Sequence, residues 1–263
     1  MSDIDCSLYQ KCKELAGELD ACTMLMYIIL VAVVILLAYI YIPKVYPVFF
    51  AMMCTYCNNK FAHYAVDAKE ELFSDMSELR ESLKTENLTI LEIGAGSGTN
   101  FKYFPSGSSV IALEPNPHFQ KYLKRNASAF PGVEIKQIVT DWAEKMTQIG
   151  DNSVHAVVCT VVLCSVKDVD AVLSETLRVL KPGGRFYYLE HIYCEEECFT
   201  QRMQRLINPI QVRFSDNCHL TRTVADNIDS AGFSEVQYRK FWARKMPRAL
   251  FIMKSQMLGT ATK

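Results

Sequence analysis

The sequence predicts an α/β fold, a doubly wound and mostly parallel sheet preceded by one apolar N-terminal helix. Three observations carry this reading. Short apolar runs alternate with segments of helical period from about residue 58 onward. A glycine-rich turn, Gly94-Ala95-Gly96-Ser97-Gly98, follows directly on the apolar run Leu88–Ile93. From Thr23 to Ile42 the chain has 20 consecutive residues without a charge.

The uncharged stretch is taken first. A bilayer-spanning helix needs about 20 apolar residues, and Thr23–Ile42 shows no polar stripe of the kind a buried soluble helix would have. A cleavable signal peptide would have a shorter apolar core near the N-terminus and a small-residue cleavage site after it. Here 22 mostly polar residues come first, and Pro43-Lys44-Val45-Tyr46-Pro47 follows, so an uncleaved anchor is expected. The next apolar stretch, Val48–Cys54, is too short to span. It is expected to be an interfacial helix, the return arm of a hairpin broken at Pro43 and Pro47, or the start of the soluble domain's packing helix. The chain thus divides into a polar segment (1–22), a membrane anchor (23–57) and a soluble domain (58–263). Lys11 and Lys13 before the span balance Lys44 and Lys60 after it, so charge does not orient it.

Composition excludes some classes. A net charge of −1 and the lack of a basic stripe predict no nucleic-acid partner. Ten cysteines suggest disulfides, but Cys159 and Cys164 lie in or beside an apolar strand, and a core of this size needs no staples. Cys54-x-x-Cys57 lacks the βαβ setting of a redox pair. The glycosylation patterns at Asn87 and Asn126 fall inside the folded domain and are read as unused.

The elements follow in order. Residues 58–84 read as an amphipathic helix and 89–93 as the first strand. The second strand is 109–114, with a helix from Pro117 to Ala129. The third strand is Val133–Thr140 and the fourth Val154–Val161, the latter apolar enough to be buried on both faces. A helix at Asp168–Leu180 leads through the turn Lys181-Pro182-Gly183-Gly184 into strand five, Arg185–Glu190. Helices at Glu197–Ile210 and Thr221–Ala231 and strands at Ser234–Lys240 and Ala249–Lys254 complete the chain.

Strand, glycine turn, helix start, second strand and terminal carboxylate, here Glu114, form a unit that binds an adenosine-type cofactor. The glycines let backbone N–H groups approach the ligand, and the carboxylate accepts from ribose hydroxyls. A dinucleotide fingerprint would need Gly at position 99, where Thr99 stands. The G-x-G-x-G form points instead to S-adenosyl-L-methionine (SAM), which has no pyrophosphate to cradle.

Leu91–Gly98, Glu114-Pro115-Asn116-Pro117, the fourth-strand run and Lys181–Gly184, in this order and spacing, resemble class I SAM-dependent methyltransferases over about residues 60–255. The implied fold is the Rossmann-like, seven-stranded methyltransferase sheet. Val157–Lys167, Leu189-Glu190-His191 and Asp216–Arg222 further resemble the membrane-anchored alkyl thiol S-methyltransferases of the methyltransferase-like family. That resemblance implies methylation of small thiols at the endoplasmic reticulum membrane and on lipid droplets, with the catalytic domain facing the cytosol, where SAM is made. The chain departs from the family in Ala95 and Ser97, where Cys and Thr are frequent, in Glu114 in place of Asp, and in the long polar leader.

The resemblance places Glu92 by the methionine amino group, Gly94, Ala95, Gly96, Ser97 and Gly98 along the cofactor, and Glu114, Pro115 and Asn116 by the ribose. Asp141 and Trp142 then contact adenine, with an aromatic face as platform. The alternative is that Asp141 merely caps a helix Trp142–Gln148. Thr160 and Cys164 stand at the carboxyl end of strand four, where open α/β sheets bind ligands. His191, just past strand five, is the candidate catalytic base. His191, Cys194, Cys198, Cys218 and His219 together suggest a zinc site, with permissible spacing in Cys194-x-x-x-Cys198, but the three glutamates between those cysteines read as a solvated helix start, so no metal is expected. Phe199, Met203, Ile207, Ile210 and Phe214 recur at helical spacing, as core packing or as an apolar lid for lipophilic substrates. The expected function is membrane-anchored SAM-dependent methylation of small lipophilic thiols. The alternatives are O-methylation of a quinone, sterol or phenolic lipid, and a non-catalytic membrane or lipid-droplet scaffold.

Overall fold

A computed structural model describes residues 21–195 and 198–263. The chain divides into two compact units, Met1–Phe49 and Phe50–Lys263. Helix α1, Ala21–Phe61, passes through Pro43 and Pro47 without stopping, so the break expected there is absent. A proline removes one backbone bond and crowds the preceding turn, but it need not end a helix. Within α1, the large apolar side chains from Met24 to Ile42 are exposed, and the helix is long and apolar enough to cross a membrane. The polar segment expected at 1–22 lies almost wholly outside the described residues.

In the second unit the single amphipathic helix expected over 58–84 is broken. After α1 come a 3-10 turn, Ala62–Ala65, then α2, Val66–Leu72, and α3, Met76–Ser82. Ser74 turns its hydroxyl back onto the Glu71 carbonyl (2.8 Å), which competes with helical bonding between α2 and α3. The apolar spacing survives the break, since Ala68, Leu72, Phe73, Met76 and Leu79 are all buried.

The sheet has seven strands: β1 Thr89–Ile93, β2 Ser108–Leu113, β3 Val133–Val139, β4 Val154–Thr160, β5 Leu180–His191, β6 Glu235–Trp242 and β7 Ser255–Thr262. Their order is β3-β2-β1-β4-β5-β7-β6. Pairs among the first five are parallel, and β7 runs antiparallel between β5 and β6. The central strands alternate between two cores, as a period of two requires. Leu91, Ile93, Val157, Cys159, Phe186 and Tyr188 face one; Ile90, Ala156, Val158, Tyr187 and Leu189 face the other. Helices α4, Gln120–Ala127, and α5, Val169–Val179, follow β2 and β4. Asp168 caps α5 by accepting from the Ala171 N–H at 3.0 Å.

The last third departs from the sequence reading in three places. Ala249–Lys254, expected as a strand, is largely a 3-10 segment, Arg248–Met253, and the last strand is the less apolar β7. Pairing on both edges decides this, not side-chain preference. Helix α7, Ala225–Ser230, starts later than expected because the preceding loop is pinned elsewhere: Leu220 N–H donates to Asn208 Oδ1 (2.7 Å) and the Arg222 guanidinium to the carbonyls of Leu163 and Val166 (2.7 Å each). Helix α6, Phe199–Phe214, runs past its expected end with Pro209 inside; its expected start, Glu197, lies outside the described residues. The core-packing reading of α6 fails for Phe199, Ile210 and Phe214, which are exposed, while Met203 and Ile207 are half-buried and Gln204 is fully buried. Gln204 donates to the carbonyls of Ile192 (3.2 Å) and Ile252 (2.8 Å) and accepts from the Cys194 N–H (2.9 Å).

At Gly259 in β7, an added Cβ would lie 2.3 Å from the Gln237 carbonyl oxygen and 2.7 Å from the Tyr188 hydroxyl. Gly259→Ala is therefore expected to destabilise the fold by about 1–3 kcal/mol through overpacking. Thermal unfolding in detergent checks this, and an unchanged midpoint would contradict the placement of β7.

Candidate functional site

The carboxyl ends of β1, β2, β4 and β5 open into one cavity of about 540 Å³, within the usual range for a small-molecule site. Glu92, Gly94, Ala95, Gly96, Glu114, Pro115, Asp141, Trp142, Thr160 and His191 all line it. The structure thus brings together most of the residues singled out in the sequence. Ser97 and Gly98 are not in its wall. The Ser97 carbonyl accepts from Asn126 (2.6 Å), and Gly98 packs against Leu123 and Phe101. Asn116 also stands outside the wall and caps the next turn, its side chain accepting from the His118 N–H at 3.1 Å.

The glycine loop is set by backbone geometry. Gly94 and Gly96 have φ of 62° and 50°, in the left-handed region that side chains disfavour. Glu114, at the end of β2, takes the Gly96 N–H on one oxygen (2.9 Å) and the Asn116 N–H on the other (3.0 Å). Each oxygen keeps capacity for a further donor. Burial pushes the carboxyl up to about 7 against these two bonds. Glu92 is also pushed up to about 7 by burial, opposed by an Asn100 hydrogen bond and the charge of Lys69. Its Oε1 accepts from Asn100 (2.8 Å), while Oε2 is buried without a partner. Asn100 also donates to the Thr160 hydroxyl at 3.0 Å.

Lys69 on α2 is a residue that the sequence reading missed. It lines the cavity, donates to the Thr99 hydroxyl (3.1 Å), and burial lowers it to about 8. Its helical period marked only a packing helix; a charged residue at the edge of that stripe was the available signal. Asp141 accepts from the Trp142 N–H (2.8 Å), but no helix follows, so the capping alternative for it falls away. Trp142 keeps an exposed face, with the Lys167 ammonium 4.9 Å from its ring centroid.

The turn after β4 forms the far wall. Val161 has φ of 58°, which is unusual for a β-branched residue and strained. The fully buried Glu190 of β5 holds this turn. Its Oε1 accepts the N–H groups of Val162 (2.8 Å) and Leu163 (2.9 Å), and its Oε2 that of Cys164 (3.4 Å). From the other side the loop after α6 clamps the same turn. Asn217 donates to the Ser165 carbonyl (2.7 Å), and the His219 N–H to that of Cys164 (2.9 Å). Cys164, His191 and Cys218 meet where these segments converge. A hydrogen bond with Cys164, then His191, holds the Cys218 thiol low against burial. Burial alone would lower His191, and the Cys218 sulfur beside it more than offsets that. Cys194 and Cys198 approach to 3.3 Å between sulfurs, away from the cavity wall.

The residues fit a SAM-sized ligand. A buried carboxylate oxygen without a partner, a second carboxylate with spare acceptor capacity, a buried ammonium and two left-handed glycines face one cavity. Fold and site define a class I SAM-dependent methyltransferase, with SAM as methyl donor. The family model described as "Methyltransferase domain" matches residues 91–188. A SAM-dependent methyltransferase of Thermotoga maritima has a similar fold, with a TM-score of 0.50 at 18% identity over 80% of this chain and 97% of that one.

Thiol S-methyltransferase TMT1A of Homo sapiens is 34% identical over 220 residues, 84% of this chain and 86% of that protein. Thiol S-methyltransferase TMT1B of Rattus norvegicus is 38% identical over 169 residues, 64% of this chain and 68% of that protein. The chain belongs to the thiol S-methyltransferase family.

A Cβ at Gly94 would lie 2.4 Å from Val162 Cγ2, on a backbone already at positive φ. Gly94→Ala is expected to weaken SAM binding by about tenfold or more, in line with a strain of roughly 1–3 kcal/mol. Equilibrium dialysis with labelled SAM reads this, and wild-type affinity in the variant would contradict the loop geometry.

Proposed function

We propose that this enzyme methylates small, lipophilic thiols from SAM while anchored to a membrane by α1. The observation that carries the reading is the single cavity that joins the glycine loop to an end walled by Cys164, His191 and Cys218. The names of the relatives support the thiol as acceptor. When bound, SAM supplies an electrophilic methyl group on a sulfonium sulfur.

The chain's own residues then have assignable tasks. Glu92 Oε2 takes the methionine ammonium, and Lys69 takes the carboxylate. Glu114 receives the ribose hydroxyls beside Pro115, and the Gly94–Gly96 backbone lets the cofactor approach closely. Asp141 and Trp142 hold adenine, and Thr160 fixes Asn100 and through it Glu92. A thiol with pKa about 8.5 is already a few per cent thiolate at neutral pH. The acceptor end therefore has mainly to bind and orient sulfur. A thiolate there needs a positive partner, and His191 either supplies it or binds what does.

Lipophilic acceptors fit the rest of the wall, where Phe50, Met53, Met246 and Met253 contribute apolar surface. Helix α6 ends at this cavity through Gln211 and Ser215. Its exposed apolar side chains sit among Arg202, Arg205 and Arg213 with no acidic residue, a composition suited to a lipid interface. Location on the endoplasmic reticulum membrane and lipid droplets, with the catalytic unit in the cytosol, follows from the family resemblance and from where SAM is made.

The test is methyl transfer from labelled SAM by the full chain in detergent, offered a small alkyl thiol, a phenol and an amine in parallel. Product from the thiol alone is expected. Glu114→Ala and Lys69→Met should each raise the KM for SAM by about tenfold or more, the scale of one lost hydrogen bond to a charged group. Transfer to the phenol and not the thiol would overturn the acceptor assignment.

A further inference from the structure

Cys164, His191 and Cys218 come from three separate segments: the turn after β4, the end of β5 and the loop after α6. All three are buried, at 1%, 2% and 6% exposure. Their donor atoms, two sulfurs and an imidazole nitrogen, all lie within 4.8 Å of one another. The two sulfurs are 3.8 Å apart, and His191 Nε2 is 3.1 Å from Cys218 Sγ. In a tetrahedral zinc site with Zn–S near 2.3 Å and Zn–N near 2.0–2.1 Å, the S···S edge is about 3.8 Å and the N···S edge about 3.6 Å. The sulfur edge already matches, and the nitrogen edge is short by about half an ångström, which a small side-chain rotation supplies.

We propose that Cys164, His191 and Cys218 bind a zinc ion whose fourth position, open to the cavity, takes the sulfur of the acceptor thiol. Three protein ligands with one open corner is the form of catalytic zinc sites, whereas structural sites close with four. Two sulfurs and an imidazole select a thiophilic ion over magnesium or calcium. Nε2, which faces Cys218, is the ligand nitrogen, and His191 Nδ1 is left buried without a hydrogen-bond partner. The support around the site is already built. Glu190 and the His219 N–H fix the backbone of Cys164 from both sides. Of the zinc candidates considered in the sequence this site keeps His191 and Cys218, leaves out Cys194, Cys198 and His219, and recruits Cys164 from the turn after β4.

The chemistry balances. On zinc binding Cys164 and Cys218 release their protons to solvent, and so does the acceptor thiol when it takes the fourth position. A lone pair of the acceptor sulfur forms the new S–CH₃ bond. The bond between that carbon and the donor's sulfonium sulfur breaks, and its electron pair stays on the donor. The neutral thioether is a poorer ligand than a thiolate and leaves. His191 in this site is a neutral ligand, and the ion holds the thiolate. The role of the fourth position rests on the proposed thiol methylation; the ion site itself does not.

The test uses the full chain in detergent, with zinc content by mass spectrometry and with cobalt exchanged in as a spectroscopic probe. SAM binding serves as the check on folding. About one zinc per chain is expected, with zinc affinity in Cys164→Ser and His191→Ala falling by more than the 10–100-fold that a lost supporting contact costs. Cobalt-loaded protein should show thiolate-to-cobalt absorption that shifts when a small alkyl thiol is added. Protein that binds SAM but takes up neither ion overturns the site. Bound cobalt with a spectrum blind to the thiol overturns the fourth-position role. A thiol that shifts the cobalt spectrum but yields no methyl thioether from the zinc-loaded protein overturns the proposed function and leaves the ion site standing.

Discussion

The buried carboxylate of Glu190 is the contact on which the rest of the site depends. A strained residue, Val161, begins the turn after β4, and such a conformation costs roughly 1–3 kcal/mol unless its surroundings fix it. Glu190 fixes it with three backbone N–H groups that would otherwise be buried and unpaired. The same turn sets Val162 against Gly94, so the shape of the glycine loop and that of the turn are one constraint. It also carries Cys164 to Cys218. The glycine-loop end and the Cys164–His191–Cys218 end of the cavity thus share a wall held by one side chain from the neighbouring strand.

The cavity concentrates charge at a cost to the empty fold. Glu92 and Glu114 are both raised to about 7 by burial. Raised carboxyl pKa values mean that the folded chain holds protons that the unfolded chain has lost. Their contribution to stability therefore falls as pH rises from about 4.5 to about 7. A ligand that brings an ammonium and hydroxyl donors to these carboxylates relieves that cost. Stability is given up at the positions where binding needs it, the usual relation between fold and site.

The first five strands were legible in the sequence because each signal there is local, whereas the helix expected over 58–84 is broken and that expected at Trp142–Gln148 is absent. Apolar runs, a glycine turn and a terminal carboxylate fix β1, β2 and their ligand end without reference to distant residues. The sheet edge was not legible, because β7 owes its strand to partners on both sides rather than to its own Ser, Gln, Gly and Thr. Helix α6 misled in the opposite sense. Its apolar spacing is that of a packed helix, but the residues it buries are Thr200, Gln201 and Gln204, and the Gln204 amide satisfies three backbone groups at once. Glu190 stood in the sequence only within the Leu189-Glu190-His191 resemblance and Lys69 only within a helix; their roles come from what the topology sets beside them. His191 was singled out as a candidate base and, with Cys218, as a zinc candidate; that Cys164 joins them comes from the topology, since the two cysteines stand 27 residues from it in either direction.

The most direct test of this account is SAM affinity in Glu190→Gln, a change that keeps the shape and removes the charge and one acceptor. A fall of about tenfold or more is expected, the scale of a lost hydrogen bond to a buried charge, with unfolding still cooperative and thiol methylation reduced alongside. Wild-type SAM affinity in a folded Glu190→Gln protein would contradict it, because the turn would then stand without the carboxylate that holds it.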